Sequence, residues 1–329
     1  MIDRRRAFIV TGCGSLLALA LPLFAQLKKP VRIASLATGT QQSIGYLVDT
    51  FRKALSDLGY VEGRDIVYEY RWAEGRNDRV PALAAELART KPDIILTATI
   101  VTARAAVEAA PAATILLVYV SDPVGNKLVA SLSRPGGRIT GVSNLGEGMV
   151  AKMVEMLHAM VPQAQRFAVL VNPTNVAGHA FAADAESAAK TLKITPVRLE
   201  AATPEELGPA FERIARERPQ GIIVTTDGMF LTMRARIVEL AARAAIPAIY
   251  YQREFVEAGG LMSYGPSILD AYIRVATFAD RIIKGARPGD LPIEQPTRFV
   301  LVVNLKTANT LGIPIPRSLL LRADEVIGS

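Results

Sequence analysis

Cysteine and histidine are nearly absent from this 329-residue chain. The only cysteine is Cys13, and the only histidines are His158 and His179. A single cysteine can form neither an internal disulfide nor a thiolate metal site. His158 lies inside a predicted helical stretch and His179 opens another, which favours surface or capping positions over metal-ligand or base roles. We therefore expect no metal site.

The motifs that usually carry catalysis are also absent. The chain has no Gly-x-Ser-x-Gly elbow, no His-Glu-x-x-His helix and no Walker A loop. The glycine pairs at 136–137 and 259–260 precede predicted strands rather than helices, so turn geometry explains them better than phosphate binding does. The sequence predicts a protein that is not an enzyme and that uses no cofactor.

The positive charge of the chain is not organised for nucleic acid. The formal net charge is +7 and only 6% of the residues are aromatic. Lysine and arginine alternate with glutamate along predicted helices, and no basic stripe interleaved with aromatic residues occurs. We expect a solvated surface and no nucleic-acid partner.

The first 25 residues have the pattern of an export signal. A charged segment at 3–6 precedes a short apolar run at 16–24 and the small residue Ala25. The run is shorter than the roughly 20 residues that a membrane helix needs, so we predict cleavage and a periplasmic location. Residues 5–9 match a twin-arginine signal, and an ordinary Sec signal stays open. Cys13 precedes the apolar run, which argues against lipidation.

From Pro30 onward, short β-branched runs alternate with helical patterns, as in parallel α/β sheets. The predicted strands are 31–37, 65–71, 93–98, 114–120, 166–171, 194–199, 221–225, 248–250 and 298–303. The predicted helices are 43–58, 77–89, 102–109, 149–160, 178–192, 204–216, 229–244 and 268–284. The pattern repeats after Pro162 with similar order and spacing, which predicts two doubly wound, Rossmann-like lobes.

The predicted lobes share the chain unequally. We expect an N-terminal lobe at 31–143, with part of 266–294 packing back onto it, and a C-terminal lobe at 144–265, with 295–329 returning to it. The chain would then cross between the lobes several times. We expect the hinge at 140–144, 263–265 and 294–297, and a hinge of this kind lets two lobes close on a ligand.

Polar side chains follow the predicted strands at their carboxyl ends, where open parallel sheets bind ligands. These candidate ligand-binding residues are Thr38, Gln41, Gln42, Thr97, Thr99, Thr102, Ser121, Asp122, Asn172, Asn175, Asp227 and Glu254, with Tyr264 nearby as an apolar wall. For any single Thr, Ser or Asn, capping of the next helix explains its position equally well.

The chemistry of this set indicates the class of ligand. Hydroxyl and amide groups would hold a carboxylate, and Asp122 or Asp227 would meet an ammonium group. The sequence therefore predicts a small polar or zwitterionic solute, such as an amino acid.

Several long strings in the sequence belong together in one known family. They are YVEGRDI at 60–66, YRWAEG at 70–75, DPVG at 122–125, RPGGRITGVS at 134–143, REFVEAGGLMSYG at 253–265 and the terminal segment 316–325. From about residue 30 to its C-terminus, the chain resembles the tryptophan/tyrosine-type family of ABC-transporter substrate-binding proteins.

The resemblance implies a type I periplasmic binding protein fold with two lobes and a multi-crossing hinge. It also implies delivery of the solute to ABC-transporter permease subunits in the inner membrane. Separately, we expect the protein to be a monomer. The family's cleft elements add Ser143 to the candidate residues. Gln41 and Gln42 depart from the small and proline residues expected there, which suggests a more polar solute than an aromatic amino acid.

Two alternatives remain at this point. A binding protein of the same fold could act as a ligand sensor with a signalling receptor. An exported enzyme could use Asp122, Asp227 or Glu254 as an acid or base, although the sequence shows no partner for such a role.

Overall fold

The computed structural model describes residues 29–143 and 148–328. The predicted export signal, the twin-arginine pattern, Cys13 and the hinge position Asn144 lie outside these residues. Two parallel-dominated sheets organise the described chain.

The first sheet has five strands in the order β2-β1-β3-β4-β5, and all of its pairings are parallel. The strands are β1 (Val31–Ala37), β2 (Ile66–Trp72), β3 (Ile94–Thr97), β4 (Thr114–Val120) and β5 (Ile139–Ser143). Helices α1 (Gln41–Asp57), α2 (Val80–Arg89) and α3 (Ile100–Ala109) connect them. The central strands β3 and β4 are buried almost throughout, as their continuous apolar runs require when helices cover both faces.

The second sheet has seven strands in the order β12-β11-β10-β9-β8-β6-β7. They are β6 (Arg166–Val171), β7 (Thr195–Glu200), β8 (Gly221–Val224), β9 (Ala248–Tyr250), β10 (Met262–Gly265), β11 (Val300–Asn304) and β12 (Glu325–Ile327). Only the pair β10–β11 is antiparallel among the described strands of this sheet.

Nine helices accompany the second half of the described chain. They are α4 (Met149–Met160), α5 (Val176–Thr191), α6 (Leu207–Glu217), α7 (Gly228–Thr232), α8 (Arg234–Arg243), α9 (Arg253–Glu257), α10 (Ile268–Ile283), α11 (Leu305–Thr310) and α12 (Arg317–Leu320). Helix α10 makes its main packing contacts with the first lobe, on α1, β4 and β5.

The chain passes between the two lobes three times. It leaves the first lobe after β5, returns after β10 through α10, and leaves again before β11. Before the last crossing, Glu294 pairs with the edge of β5: its carbonyl accepts from the Ser143 N–H at 2.9 Å, and its N–H donates to Gly141 O at 3.0 Å. These three connections form the hinge between the lobes.

The structure differs from the predicted elements at several places. Residues 229–244 contribute to two helices that meet at Met233, and the predicted hinge residues 140–143 and 263–265 lie within the strands β5 and β10. In β5, Gly141 takes a φ of +136° and lies so close to the Leu117 backbone that a Cβ would overlap it. A glycine that normally weakens a strand is therefore required in this one.

Candidate functional site

A pocket with a cavity volume of about 50 Å³ lies between the two lobes. Its walls come from the carboxyl ends of β1, β3 and β4 in the first lobe and from the loops after β6 and β8 in the second. Six of the residues predicted from sequence line it, namely Thr38, Thr99, Thr102, Ser121, Asn175 and Asp227. We call this space the central pocket.

Four other predicted residues do not line the central pocket. Thr97 is buried at the end of β3, and its hydroxyl has no partner. Asn172 is buried and donates to Asp227. Asp122 accepts from the Gly125 N–H at 2.8 Å and faces a neighbouring pocket. Gln41 is exposed in the first turn of α1.

The remaining predicted residues lie elsewhere on the molecule. Gln42 and Glu254 line a second interlobe pocket on the outer side of α1. Ser143 lies at the hinge, in a pocket that it shares with Arg274 and Glu294. Tyr264 stacks on Phe299 with ring centroids 5.9 Å apart, and this contact occupies one face of its ring.

Sequence reasoning missed the apolar part of the central pocket. Ile44 and Leu47 of α1, Tyr119 of β4, Leu231 of α7, and Ile268 and Tyr272 of α10 line it. The spacing of 44 and 47, and of 268 and 272, marks one face of each helix, which is the ordinary pattern of core residues. Only the return of α10 to the first lobe turns this face toward the pocket.

Two helices begin at the central pocket. The Thr99 hydroxyl accepts from the Thr102 N–H at 3.2 Å, and the two residues form a capping box at the start of α3. Asn175 caps α5 by accepting from the Ala177 N–H at 3.1 Å. The N-terminus of a helix favours a carboxylate, because its first N–H groups lack partners within the helix and the helix dipole is positive there.

Asp227 lies in a dense set of hydrogen-bond donors. One of its carboxylate oxygens accepts from the side-chain amides of Asn172 at 3.2 Å and Asn175 at 2.8 Å. The other accepts from the N–H groups of Met229 at 2.8 Å and Phe230 at 3.2 Å, which caps α7. Burial raises the pKa of Asp227, and the four hydrogen bonds oppose that rise because they favour the charged form. Asp227 therefore both caps α7 and lines the central pocket.

The end of β4 has an unusual backbone. Tyr119 and Asp122 have positive φ values of +68° and +35°, which non-glycine residues rarely adopt and which cluster at functional sites. The Tyr119 hydroxyl donates to Pro266 O at 2.7 Å, and its ring meets the Tyr251 ring edge-on at 5.8 Å. Burial raises the pKa of Tyr119 well above its usual range, so this hydroxyl stays a donor. Tyr119 thus joins the floor of the central pocket to the second crossing of the hinge.

The lobes touch across the cleft. A Cβ at Gly228 would overlap the Thr38 hydroxyl, and the Asn77 side-chain amide donates to the Thr174 hydroxyl at 3.0 Å. The structure is therefore a closed form, in which the central pocket is narrow.

The described residues contain neither a metal-binding cluster nor a membrane-spanning helix. In 29–143 and 148–328, no three or more His, Cys, Asp or Glu side chains gather as a metal site would require. Over the same ranges, no helix has the length and hydropathy needed to span a bilayer.

Comparison with known proteins agrees with this architecture. A conserved domain protein from Vibrio cholerae superposes with a TM-score of 0.85 at 26% identity, over 91% of this chain and 100% of that one. An ABC domain from Streptococcus pneumoniae in complex with L-Trp superposes with a TM-score of 0.83 at 22% identity, over 91% and 100%. A tyrosine-binding protein of Clostridioides difficile is 24% identical over 263 residues, which are 80% of this chain and 75% of that protein.

Two α/β lobes with a polar-lined pocket between them define a type I periplasmic binding protein. The family model of ABC transporter substrate binding proteins matches residues 33–327, and the chain belongs to this family. The expected fold class and family are thus confirmed. Proteins of this family bind solutes and are not a class of enzymes.

Proposed function

We propose that this protein is exported to the periplasm, binds an amino acid or a related zwitterion in the central pocket, and delivers it to the permease of an ABC importer. The observation that carries the proposal is the composition of the pocket. It combines two capped helix N-termini, a buried carboxylate and an apolar floor within one space between the lobes.

The ligand's carboxylate would lie at the start of α3, beside Thr99 and Thr102, where the helix favours negative charge. Its ammonium group would face Asp227, whose charge is not neutralised by any of its four uncharged donors. Its side chain would contact Tyr119, Tyr272 and the aliphatic residues of the floor. The tyrosine-binding relative and the L-Trp complex support an amino acid as the class of ligand.

Calorimetric titration of the protein that lacks residues 1–25 tests this proposal. The panel would hold the common amino acids, with L-tyrosine and L-tryptophan among them, and each amine would be paired with its carboxylate-only analogue. Ligand at 100 times its Kd stabilises the folded state by about 2.7 kcal/mol, so a thermal-shift screen reports the same binding. A folded protein that none of the panel stabilises would contradict the proposal.

Delivery needs its own test, because binding alone does not show transport. Deletion of the gene should abolish uptake of the radiolabelled ligand, and the intact gene should restore uptake. Retention of the ligand without chemical change, followed by mass spectrometry, checks the expectation that the protein is not an enzyme. If uptake is undiminished after the deletion, the protein is not required for import of the ligand, and the proposed delivery is contradicted.

A further inference from the structure

A further contact between the lobes lies outside the central pocket, where α1 meets α8 and α9. The Tyr46 hydroxyl of the first lobe donates to a Glu254 carboxylate oxygen of the second lobe at 3.2 Å. Beside it, Arg234 donates to Ser43 O across the same boundary at 3.2 Å. We call the pair Tyr46 and Glu254 the rim latch.

Glu254 is only 5% exposed, and its second carboxylate oxygen has no hydrogen-bond partner. A buried ionised carboxylate normally requires partners for both oxygens, because the low-dielectric interior destabilises the charge. Protonation removes that charge. A buried carboxylate with one free oxygen is therefore best accommodated in its neutral form.

The groups that face Glu254 do not supply the missing partner. Arg234 of α8 attracts the carboxylate at a distance, while its guanidinium donates to Ser43 O and to Leu231 O at 3.0 Å. Glu257 of α9 repels it and pairs instead with Arg253 at 2.9 Å.

The other packed elements add no cation. Tyr119 of β4 stands within electrostatic range, and Tyr250 of β9 stacks on Phe255. Tyr264 of β10 stacks outside the cleft, and β11 carries no titratable side chain. Among the described residues, Tyr46 is the side chain that donates to Glu254, and the backbone N–H of Glu254 itself is a second donor to the carboxylate.

Closure brings Tyr46 onto Glu254. The Tyr46 hydroxyl comes from the opposite lobe, and the contact lies at the edge of an interlobe pocket of about 570 Å³ that Glu254 itself lines. Glu254 is nevertheless only 5% exposed in this closed form. Separation of the lobes would remove Tyr46 and widen this pocket, so Glu254 would be better solvated in the open form than in the closed form.

We propose that the rim latch couples closing of the lobes to the uptake of one proton by Glu254. The proton comes from solvent and binds the free carboxylate oxygen, while the other oxygen keeps the hydrogen bond from Tyr46. The inference rests on the opening and closing that the proposed function requires, but it does not depend on the identity of the ligand.

The direction of the pH effect follows from the environment of Glu254. Burial is the largest cause and raises the pKa of Glu254, and the nearby charge of Glu257 raises it further. The hydrogen bond from the backbone N–H of Glu254, the hydrogen bond from Tyr46 and the charge of Arg234 lower it, and the net direction is upward. An acid with a raised pKa in the closed form stabilises that form at low pH, and this stabilisation is lost as the pH rises through the raised value. One proton changes the closing equilibrium by at most about tenfold per pH unit.

Single-molecule fluorescence transfer on the protein lacking residues 1–25, without ligand, tests the proposal. The sequence after Cys13 has no cysteine, so Lys53→Cys on α1 and Lys190→Cys on α5 place one dye on each lobe at exposed positions. The closed fraction should rise as the pH falls from about 8 to about 5. A closed fraction that does not change with pH would overturn the proposal.

Two latch variants and one matched control sharpen the test. Glu254→Gln should hold the closed fraction at the low-pH level of the wild type at every pH, because the amide is neutral. Tyr46→Phe should reduce the closed fraction severalfold. The control Tyr60→Phe removes the hydroxyl that donates to Asp280 at 2.9 Å within the first lobe, and it should leave the pH profile unchanged.

Each outcome is decisive. A Glu254→Gln protein that titrates like the wild type would place the proton elsewhere, for example on Asp227, and would overturn the latch. If Glu254→Gln fails to fold by circular dichroism, a Tyr46→Phe closed fraction equal to the wild type would overturn it instead. Because no ligand is added, failure of the latch and failure of the calorimetric ligand screen are separate results.

Discussion

Gly228 packs against Thr38 from the opposite lobe so closely that the cleft has no room for a methyl group between them. Gly228 is the first residue of α7, and Thr38 follows β1. This contact makes the shape of the central pocket depend on the absence of one side chain, because any Cβ at residue 228 would hold the lobes apart.

Gly228→Ala should therefore weaken ligand binding at least tenfold. The overlap with the Thr38 hydroxyl opposes closure, whereas the backbone of residue 228 accepts alanine without a positive φ. Calorimetric titration measures the affinity. Gly208→Ala on α6 is the matched control, because nothing lies within 4 Å of a Cβ there. Equal affinities of the two variants would show that the Gly228 contact does not limit closure.

Asp227→Ala should cost both stability and affinity. The substitution removes the cap of α7 and leaves the amides of Asn172 and Asn175 without their acceptor, which together cost about 2 kcal/mol. Urea denaturation measures the first effect. Loss of the charge should also lower the affinity for an ammonium-bearing ligand about tenfold or more, and calorimetry measures this second effect.

Asn304→Ala separates these two effects. Asn304 caps α11 by accepting from the Thr307 N–H at 3.1 Å, with the same chemistry but away from the central pocket. It should cost about 1 kcal/mol of stability and leave the affinity unchanged. If Asp227→Ala behaves like this control in both measurements, Asp227 is a cap alone.

Tyr119→Phe should destabilise the protein by about 1–3 kcal/mol, because the buried Pro266 carbonyl loses its donor. The ring remains, so the floor of the central pocket keeps its shape. Thermal unfolding gives the stability. The hydroxyl ties β4 to the second crossing, so we also expect faster ligand release in stopped-flow measurements. An unchanged release rate would limit Tyr119 to a role in packing.

Export should remove residues 1–25, and mass spectrometry of the periplasmic protein checks this. The joint substitution Arg5→Lys and Arg6→Lys decides between the two export routes that the sequence leaves open. Accumulation of the uncleaved chain in the cytoplasm would identify the twin-arginine route, and normal export would identify the Sec route. A periplasmic protein that retains its first residues would contradict the predicted cleavage.

Much of the fold could be predicted from the sequence. The strands β1, β4, β6 and β9 begin and end where the β-branched runs do, because burial on both faces selects such runs and polar or turn residues end them. The capping alternative for Thr99 and Asn175 could also be predicted, since a cap needs only its own helix, whereas the cap that Asp227 provides for α7 was not predicted.

We expected a polar solute from Gln41 and Gln42, but the structure places neither side chain in the central pocket. Helix α1 begins at Gln41, and its first turn leaves both glutamines exposed, away from the central pocket. Their position in the sequence indicates that they follow a strand. The helix geometry alone decides which way they point.

The sequence by itself determined the two series of strands and helices, the caps at the strand ends and the family. Tertiary structure alone decided the apolar floor and the rim latch. Tyr272 reaches the pocket because α10 returns to the first lobe, and Glu254 meets Tyr46 because the two lobes contact each other. Periodicity and capping act over a few residues, whereas these contacts join residues more than 150 positions apart, which only the packing of the lobes brings together.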